Sequence, residues 1–475
     1  MIENNKKDKI NNGDSIRRIS DMYEDWFLDY ASYVILERAI PKIDDGLKPV
    51  QRRILHSMRN IHDSRYHKVA NIIGHTMQYH PHGDQAIGDA LVSLGQKDLL
   101  IDTQGNWGDT RTGDRAAAPR YIEARLTPFA LAVVFNKNIT QLKESYDGRN
   151  QEPVSLPLKF PLVLAQGAEG IAVGLSTKIL PHNFNELIKS SISILNDKPF
   201  SIYPDFHNEG SIDVSNYNNG KKGGKIRIRS NIEIFNKETI IIKDLCYGTT
   251  TGSLIDSIVK ANNASKIKIK NIEDNTAENV EIIVHLIKGV SPTVTIDALY
   301  AFTNCEMSLS PNCCVIIDNK PEFISVNHLL RLSTMNTKNI LKNELEYSLF
   351  ELNERLHYLT LESIFIENKI YRFIENCDTW DSIIMTIDSH LKNHIKNMIR
   401  KYNDDDIVKL TDIKIRKITK FDKNKQLLVI NKIENDIDEI KNNIENLNDY
   451  TIRYFNHLIK TYGDKYLRKT KIEKF

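Results

Sequence analysis

The stretch from Gln104 to Leu126, QGNWGDTRTGDRAAAPRYIEARL, holds one tyrosine among four arginines: Tyr121 with Arg111, Arg115, Arg120 and Arg125. Arginine offers paired N–H donors that match phosphate oxygens. A phenol with an ordinary pKa near 10 is a poor nucleophile unless a cation or a base assists it. Arg120, adjacent in sequence, is placed to stabilise charge on a five-coordinate phosphorus. On residue types alone, a tyrosine beside an arginine is more often an ordinary surface pair. A second group is Tyr79-His80-Pro81-His82-Gly83-Asp84. Its two histidines, held by Pro and Gly, suit phosphate contact, proton shuttling or metal binding, although no third ligand lies at helical spacing. A third group, Asp45-Gly46-Leu47-Lys48-Pro49-Val50-Gln51-Arg52-Arg53, puts cations at the start of a helix. Backbone N–H groups there favour phosphate, but a solvated basic face accounts for such a run about as well.

Composition excludes several other functions. The chain has 475 residues, enough for two to four domains. Lys plus Arg is 64 and Asp plus Glu is 62, so any nucleic-acid surface must come from clustering rather than net charge. The five cysteines form no CxxC pair, which speaks against zinc and fits a reducing compartment. No GxxxxGK[ST] phosphate loop, HExxH or cysteine-nucleophile motif is present, so nucleotide energy or metal would come from a partner. Met1 to Arg18 lacks the apolar centre of a signal peptide, and runs such as Phe129 to Phe135 are too short to span a bilayer.

The elements that must position these groups can be read from periodicity. Residues 1–24 read as a mobile charged tail. Pro49 to Arg59 reads as a helix opened by proline. Asp84 to Leu94 reads as another, with Ala86, Ile87, Ala90, Leu91 and Leu94 at helical spacing. Joined by a loop, the two suit a helix-turn-helix or winged-helix element. Lys225 to Arg229, Thr239 to Lys243, Lys266 to Ile272 and Val280 to Leu286 have strand character, with a helix over Thr251 to Lys260. From about Asn336, Leu345, Leu349, Leu352, Leu356 and Leu359 form one heptad stripe. Ile433, Ile437, Ile440, Ile444 and Leu447 form a second. The pair predicts an antiparallel coiled coil, with Trp380 to Asp422 as a helical cap able to carry a dimer contact.

Taken together, RAIPKIDDGLKPVQRRIL (Arg38 to Leu55), YHPHGD (Tyr79 to Asp84), QGNWG (Gln104 to Gly108), AAAPRYIEARL (Ala116 to Leu126), EGIAVGLSTKILPHN (Glu169 to Asn183) and KIRKITKFD (Lys414 to Asp422) resemble the A subunits of bacterial type IIA topoisomerases, gyrase and topoisomerase IV. The resemblance implies a mixed α and β multidomain fold. A winged-helix breakage–reunion domain would occupy residues 25–155, an α/β tower domain 156–330, and a long coiled coil with a helical dimer gate 331–475. It implies that Tyr121 forms a 5′-phosphotyrosyl bond with DNA and that Arg120 stabilises the transition state. Lys48, His80, His82 and Arg38 would contact DNA, and Ile171 would wedge between base pairs. It implies a homodimer on double-stranded DNA, joined to a B subunit in an A2B2 complex. The B subunit would hold both Mg²⁺ and ATP, this chain none. The location implied is the cytoplasm, at the nucleoid.

Three departures qualify the resemblance. Relatives usually continue into a C-terminal β-pinwheel that wraps DNA, whereas this sequence stops at Phe475. With Trp107 in QGNWG, that favours relaxation and decatenation by a topoisomerase IV over supercoiling by gyrase. Gln85 stands where many relatives have Ser or Thr, with Asp89 at the position of their acid. In them the hydroxyl and the acid anchor a water–metal bridge to quinolones, so the resemblance implies weakened quinolone poisoning here. Asn216 to Lys225 is drifted, which leaves DNA contacts there less defined. The reading from a different class is a non-catalytic architectural DNA-binding dimer; retention of Tyr121, Arg120, His80 and His82 speaks against it.

Overall fold

The computed structural model describes residues 19–207, 210–394, 398–414 and 420–475. The expected tail lies outside these up to residue 18, but its last residues do not form a tail: α1 (Ile19–Val34) begins inside it. Residues 415–419, which carry most of the KIRKITKFD motif, also lie outside the described residues.

The first core is built on three helices and one small sheet. α2 (Pro49–Asn60) starts with proline at its first turn, where no N–H is needed, and Gln51 reaches back to the Lys48 N–H at 3.0 Å. α3 (Val69–Thr76) and α4 (Asp84–Gly95) pack against it through Ile54, Leu55, Ile72, Ile87, Leu91 and Leu94, all fully buried. Apolar side chains three and four apart on each helix produce that shared face. The sheet has the antiparallel order β1 (His67–Lys68), β3 (Glu123–Leu126), β2 (Ile101–Gln104). Ala124 and Leu126 turn into the core while Glu123 and Arg125 stay half-exposed, the alternation of a strand covered on one side.

A second mixed region follows. One four-stranded sheet runs Glu306–Leu309, Ile226–Arg229, Ser211–Asp213, Lys471–Ile472. The other runs Ile232–Asn236, Thr239–Ile242, Ile282–Leu286, Ile269–Asp274 and packs against the helix Thr251–Asn263. Each expected strand and the expected helix is found, with bounds shifted by at most three residues.

The long helix Val326–Glu367 runs 42 residues and starts earlier than the leucine stripe suggests, because Ser325 caps it by accepting from the His328 N–H at 3.2 Å. The helix Lys420–Glu445 lies along it in the opposite sense: Gln426 donates to Leu359 O at 3.2 Å near one end. Just past its other end, Lys338 donates to Asn448 on the next helix at 2.6 Å. The second stripe is not one continuous helix. Asn446 breaks it at φ −103°, ψ 45°, with its side chain donating to Asn442 O, and Leu447–Tyr462 begins a new helix. That last helix buries Phe455 and Leu458 in the first core, so the chain returns to where it started. At the far end, the helices Trp380–Lys392 and Asp404–Thr411 form a separate small core on Leu361, Phe365, Ile387, Ile407 and Leu410.

Two neighbouring arginines on α2 tie the first core together. Arg52 donates to both carboxylate oxygens of Asp45 at 2.5 and 2.9 Å, and Asp45 also accepts from Leu47 N and Leu156 N. Arg53 donates in the same forked manner to Glu152 at 2.5 and 3.0 Å. All four side chains are buried. Removing one member of such a pair strands a charge away from water. Asp45→Ala is therefore expected to lower unfolding free energy by about 3–5 kcal/mol, read from urea denaturation; a change under about 1 kcal/mol would mean that Arg52 finds water.

Candidate nucleic-acid interface

The two arginines also settle what the basic run around Lys48 does. Arg52 and Arg53 point inward and are fully engaged, so neither is free for phosphate. Lys48 turns the other way. Its ammonium donates to Glu169 O at 2.5 Å, and burial pulls its pKa below the usual lysine range, an effect that Glu169 opposes.

Lys48 lines a cavity of about 620 Å³ together with Arg38, His80, His82 and Ile171. These are five residues assigned to DNA contact from sequence, and distant segments of the chain supply them. Arg38 lies on the π-turn Ile35–Ala39 that follows α1. His80 and His82 lie in the turn before α4, their rings edge to face with centroids 4.9 Å apart. His80 is 6% exposed, and its Nδ1 accepts from Arg53 at 3.1 Å. That contact leaves Nε2 as the N–H of a neutral ring. Burial first, and the Arg53 charge second, push its pKa down to about 4. His82 pairs through Nε2 with the Tyr33 hydroxyl.

Ile171 ends one strand of the hairpin Ala168–Ile171/Ser176–Ile179 and is 87% exposed. An isoleucine held that far into water on an ordered hairpin forgoes the usual gain from apolar burial, as a wedge awaiting a partner would. Gly170 beside it is obligatory: a Cβ there would stand 2.1 Å from Ala39 O. This close approach fixes the hairpin against the segment that carries Arg38.

Tyr121 and Arg120 do not line the cavity. They occupy the turn into β3, both exposed, with the Arg120 guanidinium 4.5 Å from the centroid of the Tyr121 ring. Their backbone is clamped. The first two N–H groups of α3 donate to carbonyls on either side, Val69 N to Ile122 O at 3.0 Å and Ala70 N to Pro119 O at 3.1 Å. The other arginines of the motif have separate tasks. Arg125 pairs with Asp102 and stacks on Tyr66, and Arg111 pairs with Asp109. Gln85 and Asp89 sit one turn apart on α4, and the Gln85 amide donates to the Asp89 carboxylate at 2.8 Å.

Three residues went unnoticed in the sequence. Tyr33 bonds His82 from 49 residues away, and Glu152 holds Arg53, the partner of His80, from 99 residues away; no local pattern marks either. Lys97 donates to Gly167 O at 3.3 Å. Burial, and then the charge of Lys48, push its pKa down to about 8, which adds a second cation behind the first.

An exposed tyrosine backed by arginine, a cavity lined by cations and a strongly exposed isoleucine suit a protein that acts on a phosphodiester polymer. A family model describing the A subunits of DNA gyrase and topoisomerase IV matches residues 38–456. The chain is 44% identical over 454 residues to the A subunit of DNA topoisomerase 4 from Borreliella burgdorferi, covering 96% of this chain and 72% of that one. It is 34% identical over 360 residues to the A subunit of DNA gyrase from Lawsonia intracellularis, covering 70% and 44%. It is 31% identical over 455 residues to the A subunit of DNA gyrase from Staphylococcus aureus, covering 90% and 50%. The chain belongs to the family of DNA gyrase and topoisomerase IV A subunits, the type IIA topoisomerase A subunits. It spans about half the length of these gyrase relatives. Among the described residues, no helix is long and apolar enough to cross a membrane.

The His80 environment makes a prediction about pH. Its folded pKa, about 4, lies below the unfolded value near 6.5. Between these values the unfolded chain binds the extra proton, so stability falls as pH drops through that window. Buried His182, also pushed to about 4, adds to the same slope. His80→Gln is expected to flatten part of the loss between pH 6.5 and 4 in thermal melts; an unchanged slope would mean that His80 protonates freely in place.

Proposed function

We infer that the chain is the A subunit of a topoisomerase IV. It would cut both strands of one DNA duplex through Tyr121, let another pass, and reseal the break. The single observation that carries the chemistry is the Arg120–Tyr121 stack, exposed on a backbone locked by α3. The preference for topoisomerase IV over gyrase rests on the higher identity to the Borreliella relative.

In this reading the Tyr121 phenol oxygen attacks a DNA phosphorus. It loses its proton as the P–O bond forms, and the departing 3′ oxygen takes one up. One phosphodiester is exchanged for another, so resealing is the same step reversed and consumes no nucleotide. Arg120 neutralises the charge that gathers on the phosphorus oxygens. Arg38, Lys48, His80 and His82 hold the backbone of the same duplex, His80 as a neutral donor. Ile171 enters between base pairs, where unstacking is offset by its burial. The first core serves as the winged-helix domain, the two four-stranded sheets as the tower, and the cap at the far end of the long helix pair as the dimer gate. Two chains place their tyrosines on opposite strands. The ATPase B subunit completes an A2B2 complex in the cytoplasm.

Among the described residues, no group of three or more His, Cys, Asp or Glu could hold a metal ion. In this reading the B subunit holds both Mg²⁺ and ATP. When bound there, the ion would polarise the scissile phosphate.

The decisive experiment mixes the chain with its B subunit, Mg²⁺ and ATP on catenated and relaxed circles. Unlinking of catenanes without added negative supercoils is expected. Tyr121→Phe should keep DNA affinity within about twofold and abolish covalent adducts, a loss of at least about 10⁴-fold for a missing nucleophile. Negative supercoiling would assign gyrase instead, and Tyr121-independent activity would remove the nucleophile from this reading.

The Gln85–Asp89 hydrogen bond occupies the acid that relatives use for drug binding, so Gln85→Ser should raise quinolone-induced cleavage. Poisoning of the unaltered enzyme at the same drug concentration as the serine variant would overturn that expectation.

A further inference from the structure

We propose that Arg111 is a positioning residue, which locks the Tyr121 loop to the second mixed region so that the two carry DNA in a fixed relation. The inference rests on Tyr121 being the nucleophile.

Asp109 to Asp114 form a tight turn that projects away from the first core. Asp109 N donates to Asp114 O at 3.1 Å and Gly113 N to Asp109 O at 2.8 Å. Gly108 permits this turn at φ +79°, where a Cβ would stand 2.5 Å from Asp114 O. Below it the two arms are joined by Ala117 N donating to Asn106 O at 2.9 Å. Four residues after Ala117 comes Tyr121, itself fixed by α3. The turn and the nucleophile are thus two ends of one braced segment.

Arg111 sits at the tip and makes contacts of two kinds. Toward its own turn, its guanidinium grips both oxygens of Asp109, Nε at 3.0 Å and Nη2 at 2.7 Å. Toward the second region, Nη1 donates to Glu278 O, in the loop between strands Ile269–Asp274 and Ile282–Leu286. Its own carbonyl accepts from Thr251 N at 2.8 Å, the first residue of the helix Thr251–Asn263. That bond satisfies one of the N–H groups which a helix start otherwise leaves unpaired. Both contacts reach the second region through backbone atoms, so they report the position of its sheet and helix rather than of any flexible side chain. A planar fork can grip Asp109 and reach Glu278 together, whereas an ammonium lacks the geometry to do both.

DNA held across both regions needs its scissile phosphate in line with Tyr121, and misplacement by about 1 Å can cost about 100-fold. Arg111 fixes that register. It touches neither phosphate nor Tyr121 in this role, so its loss should affect adduct formation and spare DNA affinity.

The test uses the complete A2B2 complex and compares covalent adducts at saturating DNA, DNA Kd and melting temperature. Arg111→Ala should lower adducts about 10- to 100-fold with Kd within about twofold of the unaltered enzyme, and Arg111→Lys should recover only part. Thr251→Pro removes the other contact at a position where helices accept proline. It should lower adducts in the same direction, and combining it with Arg111→Ala should cost less than the product of the two effects. Adducts at the unaltered level in both single variants would overturn the proposal, as would a parallel loss of Kd and adducts, which would make Arg111 a DNA contact. Absence of Tyr121-dependent adducts in the unaltered complex would overturn the reading beneath it as well.

Discussion

The site depends on where two consecutive arginines of α2 are sent. Arg52 and Arg53 are both taken out of water, and each is matched by a forked carboxylate, Asp45 and Glu152. A buried guanidinium without such a partner would be strongly destabilising, so the pairs constrain the chain far beyond their own positions. Asp45 draws the segment before α2 and the backbone at Leu156 to the same point. Glu152 does likewise for the strand Gln151–Pro153. Arg53 then reaches past its carboxylate to His80. The ion pair that holds the core is in this way also what sets the tautomer of a histidine facing the cavity.

From that arrangement follows a division of labour among the cations. Those with carboxylate partners build the frame: Arg52, Arg53, Arg125 and Arg111. Arg120 makes no ion pair with a described residue and stays exposed beside Tyr121, while Arg38 lines the cavity. Lys48 lies between the two sets, its ammonium held on a backbone carbonyl that offers no full charge to neutralise it. A net charge of +2 is therefore a poor guide to the surface, since much of the positive charge is cancelled locally while a few cations gather around one cavity and one tyrosine.

Much of the architecture was legible in periodicity. The spacing of Ala86, Ile87, Ala90, Leu91 and Leu94 gave α4, and Pro49 marked the first turn of α2. The β-branched runs marked three of the four strands of the second sheet and Ile226–Arg229 of the first, though not Ile232–Asn236, and two heptad stripes marked the antiparallel helix pair. Less legible were the ends. Ser325 starts the long helix before its leucines, and Asn446 interrupts the second stripe, because caps and side-chain competition act on single residues that a stripe passes over. The return of Leu447–Tyr462 to the first core was not legible either, since an apolar helical face does not say which core it will join.

By itself the sequence determined the chemical inventory: a tyrosine inside an arginine-rich run, two histidines in a rigid turn, a lysine at a helix start and an isoleucine after a glycine. These are local facts, carried by residue type and short spacing. The tertiary structure alone decided which of those groups meet. It turned Arg52 and Arg53 inward and Lys48 outward from one basic run. It brought Arg38, the histidines and Ile171 to a single cavity from three segments, and set Arg111 against a loop 167 residues further on. The physical reason is that burial and pairing are settled between elements far apart in the chain, where desolvation penalises every buried charge that finds no partner and sequence spacing carries no record of the match.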